Sequence, residues 1–143
     1  MQSNAAEEQT VTAEVVPAKK RIDTLPSFFP QCYLEFELMA FDVARTISET
    51  YERSSGYWEF YRLSNGGFFM APKCDDKFQV VIPFGNGFQG SLSAEAFGVA
   101  VTLYAYCFLA EKFPEANLAD HYSRLHEYML DHKEASLLWQ AID

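Results

Sequence analysis

Apolar side chains at Phe36, Met39, Ala40, Val43, Ile47 and Tyr51 recur every three or four positions. That is the spacing of one helix face, and it predicts a helix over residues 33–53. Ahead of it, Pro26 and Pro30 bracket a turn-rich stretch containing Phe28 and Phe29. After it, Ser54-Ser55-Gly56 breaks the period, and residues 57–72 are aromatic, centred on Asn65-Gly66 and closed by a proline. Asn-Gly tolerates the positive φ of a tight reversal, so this stretch predicts a hairpin. Residues 73–76 form a second turn, Phe78 to Ile82 a third strand, and Pro83 stops it. Together these strands read as an antiparallel meander, to which residues 10–16 can add an edge strand.

From Gly90 onward the pattern is helical. Ser93 suits an N-cap, and Glu95 suits the first turn of a helix reaching about Lys112. Leu118, Tyr122, Leu125 and Met129 mark one face of a helix over residues 118–131, and residues 134–142 form a last short one. The class is α+β: a small three- to four-stranded antiparallel sheet with about four helices in a single domain. Residues 1–22 read as a flexible N-terminal segment and residues 23–143 as the domain.

Gly85-Asn86-Gly87-Phe88-Gln89-Gly90 spells G-x-G-x-x-G between a strand and a helix. A dinucleotide loop needs the helix to begin within the motif, so that its N–H groups meet the pyrophosphate. Here the cap is Ser93, three residues late. It also needs a parallel strand to follow, and Pro114 and another helix follow instead. No Gly-Lys-Ser/Thr makes it a P-loop. The glycines read as backbone freedom at a junction, with Phe88 turned into the core.

The chain has 143 residues, 49% of them apolar, and a net charge of −9. That supports one packed core and no extended basic footprint for nucleic acid; Lys19-Lys20-Arg21 is the single basic cluster. No apolar leader is visible, and the 15-residue run 96–110 is shorter than the roughly 20 a membrane span needs. Three widely spaced cysteines, Cys32, Cys74 and Cys107, fit a reduced cytoplasmic protein and give no zinc framework. Cys74 beside Asp75 and Asp76 is a poor thiolate, and Cys107 reads as inert packing. His121, His126 and His132 are spaced wrongly for a shared metal and read as surface or helix-end residues. His126-Glu127 lacks the second histidine of H-E-x-x-H. Ser91 lacks a nucleophile elbow, and Glu35 and Glu37 read as exposed acids. No catalytic, cofactor or metal site emerges, and the chain is not expected to be an enzyme.

Two stretches taken together are more specific. Residues 57–72, with Leu63-Ser64-Asn65-Gly66-Gly67-Phe68, precede Gly85-Asn86-Gly87-Phe88-Gln89-Gly90-Ser91-Leu92-Ser93-Ala94, and the chain closes on Ala141-Ile142-Asp143. This combination resembles the antirestriction proteins of the ArdB/KlcA family, continuously from about Leu25 to the end. Lys133 departs from the proline that members often carry in a His-Pro-Glu run. The resemblance implies a cofactor-free protein of plasmids or other mobile elements. It would shield incoming DNA from host type I restriction-modification enzymes.

Net charge alone does not make a DNA mimic. Duplex DNA carries roughly one charge per 100 Å², whereas −9 over the roughly 7,500 Å² of such a domain is far sparser. The expected mode is contact with a type I enzyme or an associated host factor, with no direct nucleic-acid or membrane binding, as a monomer or weak homodimer. Candidate partner-binding residues are Asn65 and Asn86 at turns, Phe88, and the terminal Asp143. The aromatics of residues 57–69 exceed what one sheet face hides, so one or two are expected exposed. The alternatives are a small-molecule or protein binding module using the loop at 85–90, and a hydrolase relying on an acid or histidine.

Overall fold

The computed structural model describes residues 10–53 and 56–143, the side chains of Glu52 and Arg53 excepted. In chain order the elements are β1 (Ala13–Val15), α1 (Arg21–Phe28), α2 (Tyr33–Ile47), α3 (Glu49–Arg53), β2 (Trp58–Leu63), β3 (Phe68–Pro72), β4 (Lys77–Val81), β5 (Gln89–Ser93), α4 (Ala94–Ala110), α5 (Leu118–Leu130) and α6 (Ala135–Ile142). The class is α+β as expected, with the strands divided between two antiparallel sheets, β1-β2-β3 and β4-β5.

That division corrects the meander. β4 leaves the first sheet and pairs with residues 89–93, which the sequence placed in a loop running into a helix. The glycine motif is therefore the connection of a second hairpin. The first hairpin is built as its turn residues require. Gly66 N–H donates to Leu63 O and Leu63 N–H to Gly67 O, both at 2.9 Å, and Gly66 holds φ +91°. This is a three-residue loop with the glycine in the left-handed position.

The helix expected over 33–53 is broken. Ser48 is extended (φ −149°, ψ 115°), which separates α2 from α3. Its hydroxyl, buried with the apolar stripe, then accepts from Tyr51 N–H at the start of α3. The proline-bracketed stretch is helical: α1 runs through Pro26, and Thr24 Oγ1 donates to Lys20 O at 2.7 Å. Of the N-terminal stretch expected to be flexible, residues 1–9 lie outside the described residues. Beyond them Val11 and Val16 are buried, and β1 pairs with β2, so the packing takes in residues on both sides of position 23.

α4 is the centre of the core, and nearly every turn of it is buried. It lies on β3, which is buried along its whole length and so reads as continuous FFMAP rather than as an alternating strand. Contact is closest at Gly98. A Cβ there would sit 2.2 Å from Ala71 Cβ and 2.4 Å from Met70 O. Two side chains of α4 also reach the β3 backbone: Thr102 Oγ1 accepts from Met70 N–H at 3.3 Å, and Tyr106 OH donates to Phe68 O at 2.8 Å. Phe69, on the same face of β3 as Ala71, meets α5 by stacking on Tyr128 at 5.4 Å, and it stacks on its cross-strand neighbour Tyr61 at 4.5 Å.

Candidate functional site: the glycine loop and the last helix

The β4–β5 loop is folded back on itself. Gly85 and Gly87 hold φ +66° and +73°, which a side chain would strain. Asn86 between them closes the loop and docks it. Its Oδ1 accepts from Phe88 N–H at 3.1 Å, and its Nδ2 donates to Gln140 O, in the last turn of α6, at 2.9 Å. The next carbonyl, Ala141 O, accepts from Tyr104 OH at 2.6 Å. Two of the terminal carbonyls that a helix leaves without partners are thereby capped by side chains from elsewhere in the chain. Asp143, exposed, donates its N–H to Trp139 O at 3.0 Å and ends this corner.

The glycine loop and the C-terminal end are thus adjacent, but the candidate residues play different parts. Phe88 is 8% exposed and lies against Gly90, where a Cβ would meet its ring at 2.5 Å. It supports the loop from inside. Asn65 belongs to the other hairpin and is used in the same way as Asn86. Its Oδ1 accepts from Gly67 N–H, while Nδ2 donates to Arg124 O (3.0 Å) and Glu127 Oε1 (2.9 Å) on α5. Each asparagine pins one hairpin loop to one helix.

Around the loop–helix corner the surface is aromatic. Phe84 meets Tyr104 edge-on at 4.8 Å and Phe108 at 5.3 Å; Trp139 meets His126 edge-on at 4.9 Å. Phe108 is 45% and Trp139 44% exposed. The sequence gives no sign of their exposure: Phe108 falls in the apolar run 96–110 and Trp139 in the short last helix. Phe108 is four residues from Tyr104 and one from Cys107, on the outer side of α4. Cys107 is accordingly exposed rather than inert packing, although partial burial raises its thiol pKa. Of the hairpin aromatics, Tyr57 is the exposed one, at 53%, and it lies beneath the Arg21 guanidinium at 4.6 Å.

The ionisable groups serve packing. The N-terminus of α4, where a nucleotide loop would hold phosphate, is filled by the protein itself. Ser93 Oγ accepts from Ala96 N–H, and the Glu134 carboxylate accepts from Ser93 N–H at 3.1 Å and from Ser93 Oγ. Glu95 beside it accepts from Tyr128 OH and lies 3.7 Å from His132 Nε2. The nearby His132, reinforced by the bond from Tyr128, holds the Glu95 carboxyl below its usual range against the opposing effect of burial. Burial, then the Glu95 carboxylate, pushes the Tyr128 phenol well up.

Two of the three histidines have buried side chains, and of these His132 is a helix-end residue just past α5 whereas His121 lies within it. The His132 side chain is 4% exposed, with Nδ1 accepting from Glu134 N–H at 3.0 Å. His121 is 7% exposed, packed on Phe29 at 4.9 Å and Tyr106 at 5.8 Å, with Nδ1 lacking a partner among the described residues. Burial, then the nearby Arg124, lowers its pKa. Among the described residues no group of three or more His, Cys, Asp or Glu is gathered for a metal. No helix there is long and apolar enough to cross a membrane.

Comparison with known proteins places this architecture. A family model described as "antirestriction protein" matches residues 49–143. The antirestriction protein KlcA of Escherichia coli is 35% identical over 142 residues, covering 96% of this chain and 98% of its own length. A second Escherichia coli KlcA is 36% identical over 140 residues, covering 93% and 94%. A solved structure superposes with a TM-score of 0.85 at 38% identity, covering 95% of this chain and 97% of its own. It comes from work on KlcA and ArdB, described as having a novel fold and antirestriction activity against type I DNA restriction systems in vivo but not in vitro. By family match, by identity over nearly its full length and by fold, the chain belongs to the antirestriction protein family.

Proposed function

We propose that this chain protects incoming mobile-element or phage DNA by inhibiting cleavage by host type I restriction-modification enzymes. It does so in the cytoplasm, as a non-catalytic inhibitor that works through protein contact. The observation that carries the reading is the full-length likeness in sequence and fold to KlcA and ArdB, whose described activity is against type I systems. That activity is described in vivo and not in vitro, which favours a partner present in the cell, either the restriction enzyme in its working state or an associated host factor.

Protein contact is favoured over imitation of DNA on magnitude. The accessible surface is 7,805 Å² and the net charge −9. That is about one net charge per 870 Å², against roughly one per 100 Å² on duplex DNA. The loop–helix corner offers what protein interfaces use instead: partly exposed tryptophan and phenylalanine on a rigid support. Asp143 and the ring faces of Trp139 and Phe108 are the contact residues in this reading. Asn86 and Phe88 hold the loop in place.

The test is plating of phage on cells expressing the chain, with and without a type I system. Unmodified phage should gain in plating efficiency only on the restricting host, and phage already methylated by that system should not change. Equal plating of unmodified phage with and without soluble, folded protein would refute the reading.

A further inference from the structure

The outer edge of β4 is an unpaired backbone edge with a groove built along it. Ile82 N–H donates to Phe88 O at 2.8 Å, which fixes residues 78, 80 and 82 as those bonded across to β5. The N–H and C=O groups of Gln79 and Val81 therefore face away from the sheet. Gln79 N–H is taken by the Thr50 hydroxyl at 3.2 Å, a single side-chain acceptor standing where a neighbouring strand's carbonyl would be. Among the described residues, Val81 N–H and C=O and Gln79 C=O have no partner.

Gln79, Val81 and Pro83 form one wall of a groove of about 550 Å³, and residues 46–50, at the α2–α3 break, form the other. Val81 is 51% exposed in it. Lys77 at one end and Pro83 at the other limit the open ladder to a few residues, as charges and prolines do on protected edges. The charged side chain of the groove is Glu49, exposed and without an ion pair among the described residues.

We propose that this groove binds a short extended segment of a partner protein as an added strand, with a Lys or Arg of that segment against Glu49. Backbone groups on an open edge are satisfied most fully by another extended backbone, and alternate side chains of the segment then meet the groove walls. The carboxylate selects a cationic residue, in keeping with a chain of net charge −9. The chain's own first nine residues carry Glu7 and Glu8 and no Lys or Arg, so Glu49 disfavours them as the occupant.

Binding is read on purified protein and so stands or falls separately from antirestriction. A displayed library of random heptapeptides is panned on the intact chain. An enriched peptide is then titrated against the unsubstituted protein, Val81→Pro and Glu49→Gln. Val81→Pro removes an N–H that makes no bond within the fold. Enriched peptides should carry Lys or Arg and bind at least tenfold more weakly to Val81→Pro, and severalfold more weakly to Glu49→Gln. In the unsubstituted protein, hydrogen exchange at the Val81 amide should slow at least tenfold when peptide is added, a readout that does not depend on either variant folding. Failure to enrich any peptide would overturn the proposal. So would peptides that leave Val81 exchange unchanged, or a groove filled by self-association or by residues 1–9.

Discussion

Asn65 and Asn86 show what an asparagine at a turn does when a helix end lies within reach. Each side chain accepts from an N–H two residues on and donates to a helix carbonyl more than fifty residues away. The bonds are exposed, so water replaces them in part when they are lost. Asn86→Ala is expected to cost about 1 kcal/mol, the net worth of ordinary hydrogen bonds, measured as a lower urea midpoint with an unchanged slope. Asp143→Ala, whose side chain makes no hydrogen bond among the described residues, should leave that midpoint in place. A loss of antirestriction in Asp143→Ala would then be a contact effect, whereas a loss in Asn86→Ala would have to be corrected for the displaced loop.

His121 gives a pH dependence of definite sign. Its pKa is lowered in the folded state, chiefly by burial. The unfolded chain therefore binds the proton more readily, and stability is whole above the unfolded value of about 6.5 and falls as the pH drops below it. The Glu95 carboxyl is also lowered, by His132 and Tyr128, so its contribution is present above about 4.3 and is lost only below that. Urea midpoints between about pH 8 and 2 should fall in two successive ranges. His121→Phe should flatten the upper one and leave the lower one in place.

At the scale of elements, what was legible in the sequence was local. The left-handed glycine of the first hairpin, the Ser93 cap and the periodic face of α5 depend on residues within one or two turns of each other. His121 was misread although it sits three residues from Leu118 and four from Leu125, on the same buried stripe. The polar character of histidine outweighed its position. The pairing of β4 with β5 was illegible because Gln89-Gly90-Ser91-Leu92-Ser93 carries little strand propensity, and the hairpin rests on register and on the packing of Leu92 and Phe78. The α2–α3 break was hidden because Ser48 falls between two apolar positions that keep the helical spacing.

The α4–β3 contact shows packing overriding propensity. Gly98→Ala would gain up to about 1 kcal/mol as an exposed helix substitution. Here the added methyl meets backbone as well as side chain, at 2.2–2.4 Å. Helix and strand would have to separate, at about 1–3 kcal/mol or more. The expected net result is a destabilised protein with a lower thermal midpoint; a raised midpoint would mean that this interface yields more readily than its close packing implies.

For the whole molecule, acidity and aromatic surface make opposite demands on how an inhibitor of restriction would work, and they can be separated by substitution. Glu35, Asp75, Asp76 and Glu115 are exposed and lie away from the loop–helix corner in sequence. Replacing all four by their amides brings the net charge from −9 to about −5 and removes little from the fold, since exposed charges contribute weakly. If the chain acted as a mimic of DNA, this variant should lose much of its protection of unmodified phage. If it acts through the corner, protection should persist, while Trp139→Ala combined with Phe108→Ala should abolish it. Those two rings are nearly half exposed and leave the buried parts of α4 and α6 intact, so the double variant should melt within a few degrees of the unsubstituted protein. Plating efficiency on a restricting host, read beside thermal midpoints for both variants, distinguishes the two mechanisms. Protection lost with charge and kept without the rings would reverse the assignment.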